Sequence, residues 1–149
     1  MTDADYMQLA LNEAQKAAQA DEVPVGCVVV TESGEVISAA YNTGEHGTDA
    51  MEHAELKAMR EAAVKLGQPR LWNCVLYVTL EPCAMCAAGI SMMRLKRVVF
   101  GADNPKGGAV INGVKYFESA TCNHKPEVVS GVLAEECGEI LSTFFKNKR

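Results

Sequence analysis

The sequence predicts an α/β sandwich, a mixed sheet with helices on both faces. Short β-rich apolar runs at 24–30, 35–41, 74–80 and 96–102 alternate with helical patterns from about residue 52 onward. The run from Pro24 to Val30 lacks the polar alternation of a half-exposed strand, which suits a strand buried on both faces. The length of 149 residues suits one domain, so residues 1–149 are taken as a single unit.

The elements follow in order. Tyr6, Leu9, Ala10, Ala14, Ala17 and Ala18 recur at helical spacing behind Asp3 and Asp5, predicting an amphipathic helix that ends near Ala20. The runs 24–30 and 35–41 flank the turn Glu32-Ser33-Gly34-Glu35 and read as a hairpin. The polar stretch from Asn42 to Met51 reads as a loop. Glu52 to Lys65 has helical composition, closed by Gly67 and Pro69. Cys74 to Leu80 reads as a strand. Pro82 suits the first turn of the next helix, which continues through Ala84 to Met93. Lys96 to Ala102 is a further strand, and Asp103 to Gly113 a loop. Gly131 to Phe145 has helical periodicity and runs into a basic tail.

Composition excludes several classes. With 48% hydrophobic and 22% charged residues, the chain is not disordered, collagenous or a coiled coil throughout. No apolar run approaches the roughly 18 residues of a membrane span. Acids stand where a secretory signal carries its basic region, so no membrane or export is expected and the cytoplasm is the expected compartment. Six cysteines in that setting suggest reduced thiols or metal ligands. The net charge of −5 hides an uneven distribution: Met1 to Glu55 carries 11 acids and one base, whereas Leu56 to Arg149 carries 8 acids and 13 bases. A basic footprint is a matter of clustering rather than of the sum.

The chemistry concentrates at His53-Ala54-Glu55 and at Pro82-Cys83-Ala84-Met85-Cys86. Cys83 and Cys86 are three apart and share a helix face in the first turns, where the dipole favours thiolates. Two thiolates favour a cation, and one imidazole supplies a third ligand. Zinc (Zn2+) held by three protein ligands keeps a position for water, the mark of a catalytic site. Glu55 lies two residues beyond the imidazole, free to move protons between that water and a substrate. Its pKa should rise in a closed apolar pocket. A redox Cys-x-x-Cys pair and a four-ligand structural zinc site are the competing readings; neither accounts for His53 and Glu55 together. Cys27, Cys74 and Cys137 read as core residues, and Cys122 as a loop thiol.

These motifs resemble the signature of the cytidine deaminase superfamily of zinc-dependent nucleobase deaminases. Further segments resemble its bacterial tRNA-specific adenosine deaminase family over nearly the whole chain: 21–30, Asn42, 76–90, 97–109, Asn123-His124, 131–137 and 142–149. The resemblance implies a three-layer α/β/α sandwich around a mixed five-stranded sheet. It implies hydrolytic deamination of adenosine to inosine at the wobble position of a tRNA anticodon, by a homodimer using a zinc-activated water. His53, Cys83 and Cys86 would hold zinc and Glu55 would shuttle protons. Asn42 would hydrogen-bond the flipped nucleotide, with Ala54 and Glu81 bordering the base. Asp103, Asn104, Lys106, Asn123, His124, Phe145 and Arg149 would contact the RNA. The core motif is shared with deaminases of free bases or nucleosides such as guanine or cytosine, so that reading stands as the alternative. Phe144 and Phe145 beside Lys146, Lys148 and Arg149 would supply stacking faces next to phosphate-binding charge.

Overall fold

A computed structural model describes residues 1–148. Helix α1 (Asp3–Gln19) is capped by Thr2 in a reciprocal box with Asp5, which satisfies amide groups the first turn leaves unpaired. Strands β1 (Gly26–Val30) and β2 (Val36–Tyr41) form the expected hairpin. Helix α2 (Ala54–Leu66) stops where Gly67 takes the left-handed conformation, φ 66°. Strand β3 (Val75–Leu80) leads to α3 (Ala84–Met92), then β4 (Arg97–Ala102), a 3₁₀ turn at Tyr116–Glu118, β5 (Glu127–Val129) and α4 (Ala134–Asn147).

The sheet has five strands in the order β2-β1-β3-β4-β5. β1 runs antiparallel to both neighbours, whereas β3, β4 and β5 are mutually parallel. The predicted mixed α/β sandwich is therefore the observed one. The strand without a residue-level signal is β5, only three residues long and on the sheet edge. Two boundaries differ from expectation. Cys83 is the cap of α3, so Pro82 lies just before the helix, not in its first turn. Helix α2 starts at Ala54, because His53 is still extended, φ −74° and ψ 147°.

Every residue of β1 is buried, as its unbroken apolar run requires. Val28 and Val30 pack with Tyr6, Met7, Ala10 and Leu11 of α1 and with Cys137 of α4. Cys27 and Val29 face the opposite layer with Ala58 and Met59 of α2 and Ile90 of α3. The first layer sits very close to the sheet: a Cβ at Gly26 would lie 2.2 Å from the Ala10 carbonyl oxygen, and one at Gly101 would lie 2.3 Å from Cys137 Sγ. Close packing on both faces leaves the carboxyl ends of β3 and β4 as the place where loops gather, and α/β sheets bind ligands there.

Candidate active site

Two helix N-termini build the site. The polar loop 42–53 ends in His53, the cap of α2, and β3 runs through Glu81 and Pro82 into Cys83, the cap of α3. Cys86 follows one turn into α3. His53 Nδ1 lies 3.6 Å from Cys83 Sγ and 3.6 Å from Cys86 Sγ. The three donor atoms all lie within 4.8 Å of one another, the only such His/Cys/Asp/Glu group among the described residues.

This spacing is a test of metal fit. Zn–N near 2.05 Å and Zn–S near 2.3 Å at a tetrahedral angle place nitrogen and sulfur about 3.6 Å apart. The nitrogen and sulfurs thus stand where zinc's ligands stand, with soft thiolates and an imidazole as the donor chemistry. The Cys83 thiol drops to about 4, because Cys86 hydrogen-bonds to its sulfur and His53 stands beside it, against an opposing push from burial. Cys86 moves the other way, raised by sharing that hydrogen bond and by burial. The Cys83 sulfur raises the His53 imidazole in turn.

Glu55 is 4% exposed, and burial lifts its carboxyl to about 7 despite opposing hydrogen bonds and the His53 charge. A carboxyl near neutrality can both take and return a proton. It lines a cavity of about 230 Å³ together with His53, Cys83, Asn42, Asn104, Val25 and Leu80. That volume falls below the roughly 300–1,000 Å³ of drug-sized pockets and suits one ring system.

Two buried carboxylates shape the walls: Glu22, for which the sequence predicts no role, and Glu81, expected to border the base. Glu22 accepts from the backbone N–H of Glu45 at 2.8 Å and of His46 at 2.9 Å, pinning the 42–53 loop. Glu81 accepts five hydrogen bonds: from the backbone of Asn104, Val110, Ile111 and Asn112, and from the Asn112 side-chain amide. Burial alone would raise its pKa, but these donors outweigh burial and hold it below the usual value. Glu81 lines the cavity, yet its charge is spent on the 103–112 loop. Glu22 stands in the turn between α1 and β1, where an acid does not distinguish a clamp from a surface residue; for Glu81 the expected place at the cavity is observed, and the clamp on the loop is the added finding.

The remaining expected residues divide into groups. Asn42 reaches the cavity; its Oδ1 accepts from the Ala54 N–H at 2.8 Å, which leaves its NH₂ without a partner among the described residues. Ala54 is fully buried, its N–H committed to that bond. Asp103, Asn104, Lys106 and Phe145 line a second groove of about 760 Å³ that shares Val23, Leu80 and Asn104 with the first cavity. Asn123 and His124 are elsewhere: the His124 ring Nε2 lies 2.6 Å from the Leu95 carbonyl oxygen, near the start of β4 and not its carboxyl end. Arg149 lies outside the described residues. Cys27, Cys74 and Cys137 are buried as expected, and Cys122 is a half-buried loop thiol.

Comparison with known proteins sharpens the picture. Residues 1–102 match the family profile described as the cytidine and deoxycytidylate deaminase zinc-binding region. A tRNA-specific adenosine deaminase of Agrobacterium fabrum (strain C58) is 49% identical over 97% of this chain and 94% of its own length. One from Bacillus subtilis (strain 168) is 46% identical over 97% and 89%. A solved structure from work on A-to-I editing by tRNA deaminases at the wobble position superposes with a TM-score of 0.89. It is 49% identical and covers 92% of this chain and 99% of that one.

Proposed function

The chain belongs to the cytidine and deoxycytidylate deaminase zinc-binding family, among its tRNA-specific adenosine deaminases, and from that premise we propose that it hydrolyses adenosine to inosine at the wobble position of a tRNA anticodon. One observation carries the chemistry: His53, Cys83 and Cys86 converge on a cavity of single-base size that also holds the buried Glu55. The whole chain acts as one deaminase domain, as a cytoplasmic homodimer. The exposed Met92 on the apolar helix α3 supports a subunit contact. No described helix is long and apolar enough to cross a membrane.

His53, Cys83 and Cys86 would hold the zinc. Bound there, zinc would activate a water for attack on C6 of the base. Glu55 accepts the proton that this water gives up and delivers it to N1 of the adenine. It then takes the remaining proton of the hydroxyl added at C6 and passes it to the amine; the C6–N bond breaks as the carbonyl forms, so that water and adenosine leave as inosine and ammonia. The Asn42 NH₂ orients the nucleotide. Ala54 and Glu81 contribute shape, because their polar groups are already paired. Asp103, Asn104, Lys106 and Phe145 hold the neighbouring nucleotide in the adjoining groove. Asn123 and His124 contact RNA outside the cavity, and Arg149, outside the described residues, is a further RNA contact. The anticodon loop is single-stranded, so extruding its base costs little.

The test is a product assay on anticodon stem-loops and on free bases, with zinc quantified in the same sample. Inosine in the RNA is the expected result. Ammonia from free guanine or cytosine with no inosine in RNA would reject the proposal in favour of a small-base deaminase.

A further inference from the structure

The cavity rim is an unfavourable place for a polyanion. Five of its fourteen lining residues are glutamates (Glu22, Glu45, Glu52, Glu55 and Glu81), and none is Lys or Arg. In the adjoining groove, Lys148 is already paired with Asp21, which leaves Lys106 as the cation without a carboxylate partner among the described residues. A chain of net charge −5 that binds tRNA needs phosphate contacts from some other surface.

Such a surface exists at the opposite end of the sheet. Three segments meet there: 67–74 before β3, 91–96 before β4 and 119–126 before β5. The Leu71 N–H donates to the Met93 carbonyl at 2.7 Å, the Lys96 N–H donates to the Cys74 carbonyl at 3.0 Å, and His124 contacts the Leu95 carbonyl. These 22 residues hold Arg70, Arg94, Lys96 and Lys125 and no acid, in a chain that has 19 acids. None of the four cations pairs with a carboxylate among the described residues, and Glu127, the next acid along, is turned to Arg97. Beside them Trp72 is 56% exposed, its ring edge-to-face with His124 at 6.2 Å between centroids. Exposed aromatic faces among unpaired cations are the chemistry that binds RNA by stacking and phosphate contact.

We infer that this surface, formed by Arg70, Trp72, Arg94, Lys96, His124 and Lys125, is a second RNA-contact site that grips the substrate away from the reacting nucleotide. The inference rests on the RNA reading above and places an affinity element at the end of the sheet remote from the chemistry, about 20 Å away along a six-residue strand. It also gives Trp72 a function that the family signature does not assign.

Trp72 is the only tryptophan in the chain, so its emission reports on this surface alone. Full-length tRNA is titrated into the zinc-loaded protein while RNA anisotropy and tryptophan emission are read together. The expected result is quenching that saturates along the same curve as the anisotropy. Binding with unchanged emission overturns the inference, and so does emission that shifts when the protein alone is diluted, which places Trp72 in a subunit contact. A Lys96→Glu, Lys125→Glu double variant should lower the slope of log affinity against log salt by roughly 1.5, the share of two lost phosphate contacts. An unchanged slope overturns it. Failure of the function reading looks different: no inosine forms in any RNA, whatever the emission does.

Discussion

The Asn104 backbone N–H donates to Glu81 Oε1 at 2.9 Å across 23 residues of chain, binding the end of β3 to the loop after β4. The same carboxylate holds Val110, Ile111 and Asn112, so one buried charge sets the position of the whole 103–112 wall. Gly108 follows from this arrangement. A Cβ there would lie 2.4 Å from Glu81 Cδ, so only glycine lets the loop close on its clamp.

Replacing Glu81 by Ala removes the acceptor for five donors. Leaving buried donors unpaired costs about 1–3 kcal/mol each before relaxation, so a total loss of about 3 kcal/mol or more is expected. Thermal unfolding measures it. Activity on RNA should fall further than zinc content does, because the clamp shapes the pocket wall and supplies no ligand. Full RNA activity in the variant would contradict the clamp.

Glu55→Gln keeps the shape and removes the titrating group. Zinc should stay bound near one ion per chain, and turnover should fall by about 10²–10⁴-fold. Zinc loss in this variant would make Glu55 a ligand instead of a proton carrier.

Removing the metal with a chelator should abolish deamination, and added zinc should restore it. Cys83→Ser and Cys86→Ser should each lower the zinc stoichiometry, because a hydroxyl does not replace the soft thiolate. Metal analysis beside the inosine assay checks both.

Asp3 and Arg97 tie the first residues of α1 to β4 by two hydrogen bonds, at 2.9 and 2.5 Å, and Tyr77 adds a third to the same carboxylate at 2.7 Å. The Arg97 guanidinium holds the Asp3 pKa below its ordinary 3.8, against burial. The stabilisation is therefore present above that ordinary value and is lost as pH falls through the lower folded value. Partial exposure limits the pair to about 1 kcal/mol. Asp3→Asn should lower the melting temperature by a few degrees at neutral pH, and the gap to the parent should close in strong acid. A gap unchanged in acid would remove the ion pair from the account.

Short-range pattern determined every element of this chain but β5 and the 3₁₀ turn, and it marked the two motifs that supply the metal group. The unbroken apolar run of β1, the helical spacing in α1, and the short motifs His53-Ala54-Glu55 and Cys83 to Cys86 are each set by neighbours a few residues apart, so they are legible without the fold, whereas the meeting of the two motifs across 30 residues is made by the fold. Tertiary structure decided the rest. A three-residue β5 has too little sequence to signal itself and exists because β4 offers it an edge. Glu22 looks like a surface acid, and Glu81 like a border of the base alone, until their backbone partners arrive from 23 or more residues away. His124 belongs with Trp72, not with the cavity, because parallel strands carry their two ends to opposite sides of the molecule. The spacing of Cys83 and Cys86 is local geometry, whereas the approach of His53 to them, and the use of a charge, depend on which distant groups the sheet order brings together.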